Sequence, residues 1–429
     1  MIGDILVGII SFLFMVVSKT AVIWAPLFLG RIAFFFWHHY RSEKFIGGME
    51  WVLLEIEIPR EITKSPLAME LFLTNALYHQ SGKGVWEEYW QGAVHFWYSL
   101  ELVSIEGRVH FYIRVPSRLK TLVETQLYAQ YPQVRVFEVD DYTNMIPRFR
   151  NNGNWYMWGC EFEKKKHDAY PIKTYDDYGM ESNQKPEEVI DPITPMIEFL
   201  GSLERGEHQW IQIIIRHSKK KFKDAHGHMH GNYYDAVQLT IDDLLQPYRS
   251  QKANPDGTLA TEIRVPKYLE DVVVSMYRSM EKLPFDCGIR QLTLCDKRYV
   301  SEDRFQNLRR NSRLLWRQYA FPSLNELVRK NSTQFDTPFS DPTGLGIQKM
   351  KSRFLTFYKL RTLFYPPLLY SFNYPKVVSA FLPSGKPNYY VMNTEEIATI
   401  FHFPGMVSET PTFKRLESKT AKPPANLPQ

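Results

Sequence analysis

Three histidines at alternate positions form a segment with the donor set of a metal site. In AHGHMHG, His226, His228 and His230 would share one side of an extended chain and could hold zinc, copper or nickel. The preceding KKKFK places four lysines beside them, which oppose a dication, and nothing nearby supplies a fixed second shell. No metal and no cofactor is therefore assigned. No G-x-x-x-x-G-K-[ST] phosphate loop occurs: QSGKGVWEE and PSGKPNYY lack the first glycine at the required spacing and the hydroxyl after the lysine. G-x-S-x-G, H-E-x-x-H and paired-cysteine patterns are also missing, and Asp140-Asp141 and Asp242-Asp243 read as solvated turns. The expectation is a chain with no catalytic residue, not an enzyme.

Two other groups stand out. Arg309, Arg310, Arg313 and Arg317 recur at helical spacing and form an outward stripe suited to phosphates, with nucleic acid and lipid headgroups both open as partners. VMNTEEIATIFHFPG reads as a short strand, an N-cap at Asn393 or Thr394, and Glu395 and Glu396 in the first helical turn. Ile397, Ile400 and Phe401 give that helix an apolar side, His402 reads as a partner of its C-terminal dipole, and Phe403-Pro404-Gly405 ends it.

These residues need elements to hold them. The chain has 429 residues, 44% hydrophobic and 15% aromatic, enough for two or three domains and too apolar for general disorder. Its net charge of +5 is uneven: Asp296 to Lys376 holds 15 Lys/Arg against 6 Asp/Glu. That basic third fits an acidic partner. Cys160, Cys287 and Cys295 are too few and too scattered for a disulfide framework or a zinc ribbon, which indicates a reducing compartment.

Ile5 to Trp37 is almost wholly apolar, about 50 Å as a single helix against a hydrocarbon core of roughly 30 Å. The expectation is a transmembrane helix over residues 1–45, with a helical hairpin and an interfacial helix as alternatives. Arg31 near the end of the run and Arg41 and Lys44 after it put the positive side there, so the chain is expected in the cell membrane, single-pass, with its soluble part facing the cytoplasm.

From residue 46 to 150, WVLLEIEIP, a Ser65-Pro66 helix start, FWYSLELVSI, RVHFYIRV, a helix from Ser117 and VRVFEV follow the order βαββαβ. Glu55 and Glu57 on the open face would repel phosphate, which excludes RNA binding there. Residues 151–300 repeat some of this grammar through WYMWGCEF, DPITPMIEFL, HQWIQIIIR, the long helix of VPKYLEDVVVSMYRSMEKL and CGIRQLTLC, and are expected to form a second ferredoxin-like or split βαβ unit with an insertion at 218–261. The expected fold class is α+β: the membrane helix, two ferredoxin-like units, a basic helical region at 301–376, and a docking element with a linker tail at 377–429.

Taken in order, WVLLEIEIPREITKSPLAMELF, WYSLELVSIEGRVHFYIRVPSRLKTLVETQLYAQYP, FDCGIRQLTL, VMNTEEIATIFHFPG and TPTFKRLESKTAKPPANLP resemble the non-catalytic amino-terminal half of membrane-anchored DNA-transfer ATPases of the type IV secretion and conjugation class. In that family the last two segments lead into a RecA-like motor, whose phosphate loop this sequence lacks. The resemblance implies a membrane-anchored scaffold or assembly subunit of a DNA or protein translocation machine, partnered by a separately encoded RecA-like ATPase. It implies docking through Glu395, Glu396, His402, Phe403, Pro404 and Gly405, and leaves a homo-oligomer and DNA open as partners. A tethered nucleic-acid-binding protein using the basic region is the alternative.

Overall fold

The computed structural model describes residues 2–59, 64–79, 83–146, 149–150, 153–180, 191–222, 231–253, 259–263, 265–334, 344–367 and 389–405. They fall into two units, one of residues 1–49, 81–95 and 366–386, the other of 50–80, 96–365 and 387–429.

The larger unit is built on a nine-stranded antiparallel sheet. Its first half comprises β1 (Trp51–Glu57), α2 (Pro66–Phe72), β2 (Tyr98–Ile105), β3 (Arg108–Pro116), α3 (Lys120–Gln130) and β4 (Arg135–Val139), α1 belonging to the smaller unit. Alternation in β1 decides its faces: Val52, Leu54 and Ile56 pack with Phe72 of α2 and Leu127 of α3, while Leu53 turns to the other side with Tyr112. The strand order β4-β1-β3-β2 is that of a βαββαβ unit.

The second half has β5 (Trp155–Lys164), α4 (Thr194–Gly201), β6 (Glu207–His217), α5 (Tyr233–Leu245), a two-stranded ribbon β7 (Arg249–Ala253) and β8 (Leu259–Ile263), α6 (Lys267–Met280), β9 (Pro284–Asp296), α7 (Glu302–Asn311) and β10 (Leu327–Ser332). Its order, β10-β5-β9-β6, repeats that of the first half. The long helix α6 lies within the connection from β6 to β9, where a plain βαββαβ unit has a hairpin, so α7 takes the place of the second helix. Among its described residues the insertion holds regular elements, α5 and the β7–β8 ribbon. Asn232 and Asp235 form a reciprocal capping box that starts α5.

The two halves meet where β2 pairs with β6, from Tyr98↔Ile215 to Ile105↔His208, and one sheet results. α8 (Leu345–Leu360) crosses the opposite face, placing Leu355 and Tyr358 against Val103, Trp210 and Leu292. β11 (Tyr390–Asn393) pairs with β9, and α9 (Thr394–Ile400) follows it directly.

The smaller unit contains α1 (Ile2–Gly47). Among the described residues no helix is long and apolar enough to cross a membrane, which overturns the expected transmembrane helix and the single-pass membrane location deduced from it. Where the side chains of α1 are described, Lys19 and Arg31 bracket an apolar run of only about 17 Å, short of a hydrocarbon core of roughly 30 Å. Against the same helix, Phe34 meets Tyr89 at 5.6 Å between ring centres and Trp37 meets Trp90 at 5.6 Å. Gly92 permits the turn after Trp90: it has φ +73°, and a Cβ there would stand 2.3 Å from the Arg41 carbonyl carbon.

Candidate functional site

Asn393 caps α9 by accepting from the Glu396 amide at 2.8 Å, while its own amide donates to Glu396 at 2.9 Å. The Glu396 carboxylate therefore turns inward, accepts from the Ile172 amide at 2.9 Å and pairs with Lys164 at 2.7 Å, both side chains fully buried. Glu395 lies 3.1 Å from Arg278 Nε, and burial nevertheless pushes its carboxyl up to about 7. His402 meets the Ala398 carbonyl at 2.8 Å and Asp191 Oδ1 at 3.0 Å. Burial opposes ionisation of Asp191, but His402 and the amides of Ile193 and Gly405 hold its carboxyl below the usual range. Phe401 and Phe403 pack edge-on to Phe111, and Phe403 does so to Tyr131.

The candidate docking residues Glu395, Glu396, His402, Phe403 and Pro404 are thus buried, and Gly405 is half-buried. The segment is a strand and helix of the core, and these side chains face its interior.

A second buried polar group sits under α8. Arg361, left-handed at φ 50° just beyond that helix, donates to both oxygens of Glu101 at 2.9 and 3.1 Å and also pairs with Asp141. Glu101 accepts further bonds from Ser99 at 2.6 Å, Tyr142 at 2.6 Å and Gln212 at 3.0 Å. Burial works against the Glu101 and Asp141 carboxylates, and the guanidinium overcomes it and holds both below their ordinary range. Asp141 is therefore an ion-pair partner as well as a turn former, accepting from the Thr143 amide at 3.0 Å. Every charged group here is satisfied by another, as in a structural network.

The arginine stripe divides. Ser301 caps α7 and accepts from the Arg304 amide at 3.3 Å. Phe305 and Leu308 face the core, as do Leu315, Trp316 and Tyr319 in the tight turns that follow, so Arg309, Arg310 and Arg313 emerge together. Arg329 of β10 joins them. Burial depresses Arg309, and repulsion from Arg313, Arg310 and Arg329 adds to it; burial and then Arg329 do the same to Arg313. Lys351 of α8 is lowered by burial and then by Lys297 and Arg309. Arg313 lies over the Trp158 ring at 5.4 Å, and Arg309 donates to Gln334. The Nε atoms of Arg309 and Arg313 are buried and have no hydrogen-bond partner among the described residues. Arg317 is exposed on the next turn and takes no part in these repulsions.

The sequence reading missed Arg329 and Lys351, which a different strand and helix bring to the stripe. His226, His228 and His230 lie outside the described residues. Among the described residues no group of three or more His, Cys, Asp or Glu could hold a metal ion, and Cys160, Cys287 and Cys295 are free and buried.

A protein-family model described as Domain of unknown function (DUF8128) matches residues 93–310, just over half of the chain. The chain belongs to this family. The DUF8128 match runs from just before β2 to near the end of α7, so it takes in the β2–β6 junction and Arg309 and Arg310, while α8, β11 and α9 lie beyond it. No curated protein matches the chain.

Proposed function

We propose that this protein is a non-catalytic assembly subunit of a DNA or protein translocation machine of the type IV secretion or conjugation class, working with a separately encoded RecA-like ATPase. One observation carries the reading: segments of the resemblance that lie far apart in sequence pack on one another. Phe401 and Phe403 of the HFPG element meet Phe111 of β3, and Thr394 donates to Glu70 of α2 at 3.4 Å.

The smaller unit offers the surface for such a partner. Phe34, Trp37, Val85, Trp86, Tyr89 and Trp90 line an open groove of about 510 Å3, with Trp86 62% and Trp90 51% exposed. Grouped exposed aromatics of this kind mark interaction sites, and Trp and Tyr dominate binding energy. Co-expression with the ATPase followed by light scattering on the co-purified material tests the reading. A mixed complex that W86S/W90S abolishes is the expected result. A complex unaffected by those changes, a homo-oligomer alone, or no complex would overturn it.

A further inference from the structure

We infer that Arg309, Arg310, Arg313, Arg329 and Lys351 form a contact site for the phosphate backbone of a nucleic acid. Three elements converge to make it: the end of α7 with the residue just past Ser312, the edge strand β10, and α8. A merely solvated surface would not gather cations whose repulsion works against Arg309, Arg313 and Lys351. The carboxylates on the packed elements do not neutralise the group. Glu161 pairs with Arg290 at 3.0 Å and accepts from Asn331 at 2.8 Å, and Glu163 pairs with Lys330. Glu302, near Lys351, is an exposed acid on the first turn of α7, and its attraction is outweighed there by Lys297 and Arg309.

The chemistry selects phosphate. A guanidinium presents a rigid fork of donors that matches a phosphate or carboxylate bidentately, and two of these forks hold a buried Nε with no partner among the described residues. A run of phosphates supplies what the cluster lacks, several negative charges at regular spacing on one flexible polymer. The rings that Arg313 and Lys351 lie over, Trp158 and Phe149, are both buried, so neither offers bases a stacking platform. Contacts confined to the backbone position a strand without reading its sequence. This goes beyond the assembly role and is read by a different measurement, so either can fail alone.

The test is fluorescence anisotropy of a labelled, mixed-sequence single-stranded DNA with the full chain across a salt series. Four or five neutralised phosphates predict that log affinity falls against log salt with a slope of about −3. R310Q/R329Q removes two exposed cations, and the expected result is a slope smaller by about 1.4 and at least tenfold weaker binding at the low-salt end. R317Q is expected to leave both unchanged. Equal slopes for R310Q/R329Q and the parent would overturn the site, as would an R317Q effect of the same size. Polyglutamate binding as tightly as DNA would make it an acidic-peptide surface, and binding to phosphatidylserine vesicles but not to DNA would make it a lipid one. Either outcome overturns the inference.

Discussion

Glu395 and Glu101 are both buried glutamates, and they respond to pH in opposite directions. At Glu101 the guanidinium of Arg361 overcomes desolvation, so the folded-state pKa is below the unfolded one. Its stabilisation is complete above the ordinary carboxylate pKa of about 4.3 and is lost as pH falls through the lower folded value. At Glu395 burial prevails over Arg278 and the folded value rises to about 7. The folded state then binds more protons than the unfolded one between about 4.3 and 7, so this residue makes stability fall across that window. Urea unfolding at a series of pH values should show the decline on the neutral side flattened in E395Q and the acid limb flattened in E101Q. An unchanged profile in either variant would refute the assignment for that residue. Lys164→Met leaves Glu396 as an unpaired buried charge and should cost about 3–5 kcal/mol in the same experiment. These roles were only partly legible: Glu395 and Glu396 were readable as first-turn residues of a helix, but the cations they meet, Arg278 and Lys164, are more than a hundred residues away in sequence. Arg361 carried no local signal, because a basic residue at a helix end also reads as a dipole partner.

Elements with strong periodicity were legible as types, and their surroundings were not. The sequence alternation of β1 and the Ser65-Pro66 start of α2 survive in the fold. The opposite face of the sheet, expected to stay open around Glu55 and Glu57, is occupied by α8 in its centre, and Glu55 meets His110 at 2.6 Å near the margin. One glycine lets that helix approach, and a second admits the segment just after it. A Cβ at Gly159 would lie 2.4 Å from the Phe354 ring, and one at Gly288 would lie 2.4 Å from Leu363 Cδ2. Because the obstacle at Gly159 is a side chain, G159A should destabilise by about 1–3 kcal/mol as overpacking, and F354A should suppress most of that increment in a double-mutant cycle. Additive losses would argue that the glycine serves the strand backbone instead. In the smaller unit the obstacle at Gly92 is backbone, so G92A has no such relief. It should loosen the turn and raise amide exchange around Trp90.

At the scale of the larger unit, the first βαββαβ set could be read along the chain, but the second only in part, since its last strand β10 lies in the stretch 301–376 expected to be helical, and the union of the two could not be read at all. Apolar alternation in β2 and β6 gives each strand its faces, and an edge strand and an interior strand look alike in that pattern. The structure makes the edge of one half the neighbour of the other, so the halves share β2 and β6 as interior strands. Amides of β2 and β6 should therefore exchange with deuterium only through global unfolding, at one common rate in both strands. Faster exchange confined to the pair would mean that the halves separate in the native state.

The shared seam also sets a schedule for synthesis. The first half is complete when β4 ends at Val139, but the strand that covers β2 ends at His217. At roughly 5–20 residues per second, a nascent chain carries an exposed hydrogen-bonding edge for about 4–16 s before its cover has been made. During that interval, neighbouring chains on the same message offer each other the same edge, and the yield of folded protein becomes a matter of translation speed as much as of stability.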